Sequence, residues 1–120
     1  MRIAALEFDG HALRVKCAGP FGVGSEGHAS AVLLRETIDA WLMSPGHGRV
    51  DELIIDFTDV DYEWGDGPVT STLPFVAKRR VARVRLLANA RNQRALESLV
   101  DASGLEAVGL PWFVVQGTDV

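Results

Sequence analysis

The chain has 120 residues, of which 48% are hydrophobic and 23% charged, and its formal net charge is −4. This composition indicates one globular domain spanning residues 1–120 and excludes a disordered or fibrous chain. The apolar runs are too short for a transmembrane helix or a signal peptide, the single cysteine excludes an internal disulfide, and the negative charge argues against nucleic-acid binding, so we expect a cytoplasmic protein without membrane insertion.

The first predicted element is a β-hairpin. The pair Asp9-Gly10 lies between two strand-like runs and is typical of the tight type I′ turn, whose two central residues both need positive φ. A two-residue turn pairs Phe8 with His11 and Leu6 with Leu13. The predicted apolar face then carries Leu6, Phe8, Leu13 and Val15, whereas Arg14 and Lys16 point to the opposite face.

Strands and helices alternate through the rest of the chain. They are predicted as a helix from about Ser25 or Gly27 to Met43, a strand at 51–57, an acidic loop at 58–67, a helix at 68–77, a strand at 81–87, a helix capped by Asn89 or Asn92 and ended by Ser103-Gly104, and a strand at 112–115. In the first helix, helical spacing is predicted for an apolar stripe of Leu34, Ile38, Trp41 and Leu42, and in the strand at 81–87 Arg83 and Arg85 are predicted to share one face. This alternation implies crossover connections and parallel pairing. The predicted fold class is α/β, a mixed and largely parallel β-sheet with an N-terminal antiparallel hairpin and helices packed against the sheet.

Three stretches after Val50 carry a family resemblance. They are Leu53-Ile54-Ile55-Asp56-Phe57-Thr58-Asp59-Val60 with the Asp61–Gly67 segment behind it, Arg83-Val84-Arg85-Leu86-Leu87, and the run from Leu96 to Ser103-Gly104-Leu105. Their order and spacing resemble the STAS domain of sulphate transporters and anti-sigma-factor antagonists, including SpoIIAA-like proteins. In that family a strand ending in aspartate leads through a turn to a phosphorylatable serine at a helix N-terminus.

The chain departs from the family at that serine. The family signature falls on Trp64, Gly65, Asp66 and Gly67, and only the glycine agrees, so the resemblance places Asp66 at the phosphorylation position. A carboxylate at a helix N-terminus is favourable because the backbone N–H groups there are unpaired. Asp66 is therefore either an ordinary helix cap or a permanent anion where relatives carry a removable phosphate.

These features together predict a non-catalytic protein-interaction module without serine phospho-switching. The predicted partner-binding surface comprises Asp61, Glu63, Trp64, Gly65, Asp66, Gly67, Pro68, Lys78 and Arg79. The resemblance implies another protein as partner, such as an anti-sigma factor or a kinase-like regulator, and a second copy of the chain is a further candidate. We expect no cofactor and no metal, because the acids at 56–66 miss the glycine and glutamate positions of a calcium-binding loop.

Several alternatives stay open at the level of sequence. Trp64 is either an exposed binding anchor or a cap on the core. The acids at 51–66 and the bases at 78–94 either steer a charged partner or neutralise each other. Trp112 and Phe113 either pack in the core or line an apolar pocket under Trp64, which would make the chain a small-ligand or lipid-binding domain. Cys17 is expected to be a buried or edge thiol.

Overall fold

The computed structural model of the chain describes residues 1–22, 24–44, 50–63, 81–103 and 112–116, with the backbone alone for 99–103 and 112–116. The strands and α-helices in these ranges are β1 (Arg2–Phe8), β2 (Ala12–Pro20), α1 (His28–Met43), β3 (Val50–Asp61), β4 (Val81–Ala88), α2 (Gln93–Ser103) and β5 (Trp112–Gln116). A 3-10 turn at Gly24–Gly27 precedes α1. The helix predicted at 68–77 lies outside the described residues.

The strands form one five-stranded sheet in the order β1-β2-β3-β4-β5. β1 and β2 are antiparallel, and each later pair of neighbours is parallel. Parallel neighbours need long crossover connections, and α1 and α2 lie in two of them. The prediction of a mixed, largely parallel sheet with an N-terminal hairpin is therefore confirmed.

The hairpin forms as predicted, but the predicted register is wrong by two residues. Phe8 pairs with Leu13, not with His11. The physical reason is the turn: the Asp9 carboxylate accepts hydrogen bonds from the backbone N–H groups of His11 (2.9 Å) and Ala12 (2.8 Å), which favours a longer turn. Of the two residues that a type I′ turn needs at positive φ, only Gly10 has it, at 92°. A shift of two residues preserves the alternation of faces.

One face of the sheet is apolar and is covered by helices. Leu34, Ile38 and Leu42 of α1 and Leu96 of α2 lie in the same buried cluster. The strand residues in that cluster include Leu13, Val15, Leu53, Ile55, Val84 and Leu86. The predicted helical stripe of α1 is thus confirmed. Neither described helix is long and apolar enough to cross a bilayer.

β3 is longer than predicted, because the segment expected to begin an acidic loop at Thr58 continues as strand to Asp61. β2 stays alongside it, with Ala18 opposite Asp59 and Pro20 opposite Asp61. Between Asp56 and Asp59, β3 advances three residues while β2 advances two, which is a β-bulge. The bulge changes which residues of the strand face the core, so that Val60 in the second half is buried, with 1% of its surface exposed.

Candidate functional site

The candidate site is the carboxyl end of β3, where the first residues of the predicted partner-binding surface lie. Asp61 is the last residue of the strand and Glu63 follows it, and both are exposed. The other predicted surface residues lie outside the described residues, and they are Trp64, Gly65, Asp66, Gly67, Pro68, Lys78 and Arg79. The structure therefore describes the base of the predicted surface.

Acidic and buried residues alternate along this end of β3. Asp59, Asp61 and Glu63 are exposed, whereas Val60 and Tyr62 between them are buried. Residues two apart on an extended strand lie about 6.6 Å apart on the same face, as Asp59 and Asp61 do. With Glu63, which follows two residues after the strand end, these acids form a row of three exposed carboxylates along the chain. We call this row the acidic ridge. It lies in the second half of the acidic segment at 51–66, and residues 58–61 of the predicted acidic loop are strand.

The buried side of the acidic ridge is anchored in an aromatic contact. Tyr62 meets Phe21 edge-on, with 5.2 Å between ring centroids and 85° between ring planes. The Phe21 N–H donates a hydrogen bond to the carbonyl oxygen of Asp61 (3.0 Å). Burial raises the pKa of the Tyr62 phenol. These contacts fix which side chains of this short stretch face outward.

Two asparagines after β4 hold the same strand end. The Asn89 N–H donates to Asn92 Oδ1 (2.8 Å), and the Asn92 N–H donates to Asn89 Oδ1 (2.8 Å). This reciprocal arrangement has the geometry of a capping box at the start of the α2 turn. The Nδ2 group of Asn92 also donates to the carbonyl oxygens of Phe57 (2.9 Å) and Val60 (2.9 Å), and that of Asn89 donates to Thr58 (3.1 Å). We call this arrangement the asparagine clip.

The asparagine clip supplies hydrogen bonds that the sheet does not. Register pairing between β3 and β4 runs only to Asp56 and Leu87. Beyond Asp56 the strand projects past β4, and a buried carbonyl there needs another donor. Sequence reasoning identified the capping role of Asn89 or Asn92 but missed the contact with β3. The only signal for it was two asparagines three residues apart directly behind a strand.

The face of the sheet opposite the helices is charged, and we call it the polar sheet face. Its central acid, Asp56, is 1% exposed and accepts hydrogen bonds from Arg14 Nη2 (2.5 Å), the Thr58 N–H (3.0 Å) and Thr58 Oγ1 (2.6 Å). Burial acts to raise the pKa of Asp56, but the Thr58 hydrogen bonds and the Arg14 guanidinium outweigh it, so the pKa lies below its usual value.

A second buried acid on the polar sheet face binds two arginines. Glu52 is 4% exposed and accepts hydrogen bonds from Arg83 Nε and from Arg85 Nη2 (3.1 Å). Both arginines come from β4, as the predicted shared face of Arg83 and Arg85 required. In this part of the molecule the acidic and basic segments neutralise each other, which is one of the two interpretations that sequence left open.

A pocket of about 260 Å³ opens on the polar sheet face beside β1, lined by Ala5, Glu7, Arg14 and Lys16. Three charged side chains line it, so it does not match the apolar pocket expected of a lipid-binding domain. That apolar pocket was predicted from Trp64, which lies outside the described residues, and from the side chains of Trp112 and Phe113, where the backbone alone is described.

Cys17 is fully buried, and burial, with a smaller contribution from Asp56, raises the pKa of its thiol to about 12. Of the two expected environments, buried or edge, the structure shows the buried one, and the raised pKa disfavours the reactive thiolate. Within the described ranges, no group of three His, Cys, Asp or Glu side chains is arranged to hold a metal ion.

Comparisons of the chain with protein-family models, with curated proteins and with solved structures found no match.

Proposed function

We propose that this chain is a non-catalytic protein-interaction module of the STAS, SpoIIAA-like type, which docks a partner protein at the carboxyl end of β3. The observation that carries the proposal is the acidic ridge, in which exposed carboxylates project from a strand end held by the asparagine clip and by the aromatic contact of Tyr62. Because the strand end is held in place before binding, less conformational entropy is lost when a partner binds, which favours recognition.

The engagement of the buried acids supports docking over catalysis. A carboxyl group that transfers protons must reach a substrate with an unoccupied oxygen. Asp56 is held by Arg14 and Thr58, and Glu52 is held by two arginines. In the described part of the chain, these two acids therefore have a structural role within the sheet.

The charge of the acidic ridge specifies the chemistry of the partner. Asp59 is partly neutralised by Lys16, whose Nζ lies 3.5 Å from its carboxylate, whereas Asp61 and Glu63 form no ion pair with any described residue. A partner with lysine or arginine side chains at matching spacing would complement them and associate faster at low ionic strength. The resemblance adds the class of partner, an anti-sigma factor or a kinase-like regulator.

In this proposal the residues that follow the acidic ridge in sequence complete the surface. Asp66 supplies a permanent anion at the position where the family carries its phosphorylated serine, Trp64 supplies an apolar anchor, and Lys78 and Arg79 flank it. Partner binding would then be constitutive, because no phosphate has to be added or removed. The substitutions Asp66→Asn and Trp64→Ala are each expected to weaken binding, whereas an Asp66→Ser variant should bind weakly until it is phosphorylated.

The decisive experiment is quantitative affinity capture from an extract of the source cells. The bait pair is the wild type and the double charge reversal Asp61→Lys/Glu63→Lys. The matched control is Glu26→Lys/Glu36→Lys, which makes the same change of charge at two exposed acids that form no ion pair with described residues.

We expect a protein that is recovered by the wild type and the control and lost with the ridge variant. Its binding should be measured with the purified partner by isothermal titration calorimetry at low and high salt. Equal recovery by the ridge variant and the control would refute the proposal.

A further inference from the structure

The outer edge of β1 has the properties of an interface. β1 is the first strand in the sheet order, and no described strand pairs with its outer side. Its seven residues contain no proline, so the edge presents backbone N–H and C=O groups that another strand can bind. Two large apolar side chains on it, Leu6 and Phe8, are 40% and 39% exposed.

A β-bulge in β1 determines which of its side chains share a face. Ile3 pairs with Cys17 and Ala5 pairs with Lys16, which are adjacent residues of β2. Ala4 is therefore the extra residue of the bulge. The odd-numbered side chains point to one face of the sheet before Ala4 and to the other face after it.

With the bulge taken into account, like side chains of β1 fall on the same face. Ile3 and Leu6 lie on the apolar side, because their β2 partners are the buried Cys17 and Val15. Arg2 and Glu7 lie on the opposite side, where Glu7 is the register partner of Arg14. Without the bulge, Arg2 and Glu7 would face opposite ways.

The two charged residues of β1 differ from their neighbours on β2 in their ion pairing. Arg2 and Glu7 are both exposed, and neither forms an ion pair with a described residue. By contrast, Arg14 and Lys16 on the neighbouring strand each have an acidic partner. The edge thus presents, near opposite ends of a seven-residue strand, one positive and one negative side chain that no described residue neutralises.

We propose that two copies of this chain associate by antiparallel pairing of their β1 strands, about a two-fold axis that passes between Ala4 and Ala5. In this register Ala5 lies opposite Ala4 of the second copy, Leu6 lies opposite Ile3, and Glu7 lies opposite Arg2. The bulge makes each pair consistent in facing: apolar meets apolar, and positive meets negative. The five described strands of each copy then form one continuous sheet across the axis.

The charge arrangement selects a second copy as the occupant of the edge. A two-fold interface must be complementary to itself, because the same residues meet their own counterparts. Arg2 and Glu7 meet this condition, because the dimer contains two Arg2–Glu7 pairs, one on each side of the axis. The small side chains of Ala4 and Ala5 at the centre allow the two strands to approach.

The test is sedimentation velocity of the full chain over a wide concentration range, at low and high salt. We expect a concentration-dependent dimer that weakens as salt screens the two ion pairs. Arg2→Glu and Glu7→Arg each replace both attractive pairs by like charges and should raise the dimer dissociation constant about tenfold or more. The double swap Arg2→Glu/Glu7→Arg restores opposite charges and should recover the wild-type constant.

A matched control is Glu36→Arg, the same change of charge on the exposed side of α1, which should leave the dimer unchanged. Circular dichroism of each variant checks that the fold is retained. A wild type that stays monomeric at every concentration overturns the proposal, whichever other molecule binds the edge. If the single charge reversals leave the dimer dissociation constant unchanged, or if the double swap does not recover the wild-type constant, the proposed β1 register is wrong.

Discussion

Replacing Asn92 by alanine tests whether the asparagine clip holds the end of β3. Asn92 is 1% exposed, and its side chain makes three hydrogen bonds, two to carbonyl oxygens of β3 and one from the Asn89 N–H. Alanine removes all three and leaves the Phe57 carbonyl and the Asn89 N–H without their partners. A hydrogen bond contributes about 1 kcal/mol net, and a buried group left unsatisfied costs about 1–3 kcal/mol.

We therefore expect Asn92→Ala to lower the free energy of unfolding by about 2–4 kcal/mol, which is a large share of the roughly 5–15 kcal/mol typical of a domain. Urea denaturation followed by circular dichroism measures it, with an unchanged slope showing that the two end states are preserved. The neighbouring Arg91→Ala is the control, because Arg91 is exposed and only its backbone N–H contacts Asn89. A loss in Asn92→Ala no larger than that in Arg91→Ala, about 0.5 kcal/mol, would refute the reasoning.

Three further predictions concern the buried groups of the sheet. The pKa of Asp56 is lowered in the folded state, so its stabilising contribution is present above about pH 4 and is lost as the pH falls through the folded pKa. Asp56→Asn should therefore be less stable at neutral pH, and its free energy of unfolding should fall less steeply with acidification than that of the wild type. Denaturation at a series of pH values measures this, and the same pH dependence in both proteins would contradict it. Cys17 should react with a thiol reagent only at the rate of unfolding, and rapid labelling of the native chain would show that it is accessible. Glu52→Gln should destabilise the chain by about 1–3 kcal/mol in urea denaturation, because two arginines lose their counter-charge, and a neutral result would mean that solvent replaces it.

Much of the fold was predictable from local patterns. The Asp9-Gly10 pair identified the hairpin, and the helical spacing of Leu34, Ile38 and Leu42 identified α1. Both signals depend only on residues near each other in the chain. The hairpin register was not predictable in the same way, because it depended on whether the Asp9 carboxylate would bond to the backbone of the turn.

The candidate site was harder to predict because it depends on contacts between distant segments. The bulge in β3 reverses the alternation after Asp56, so the pattern from Thr58 to Asp61 does not continue the first half of the strand. From sequence alone, a strand whose alternation of buried and exposed residues is interrupted in this way looks like an acidic loop. The asparagine clip joins residues 31 to 35 positions apart in the chain, and local spacing carries no information about such pairs.

The two unlike faces of the sheet also protect the chain against misfolding. If β2 slid by one residue along β3, Arg14 would exchange places with its buried neighbours Leu13 and Val15 and would enter the space beneath α1. Its charge would be stranded there, away from Asp56 and from water, at a cost of several kcal/mol. The same penalty applies to β4 through Arg85. Arg14 and Arg85 thus disfavour misaligned strand pairings, in addition to binding the buried acids of the correctly paired sheet.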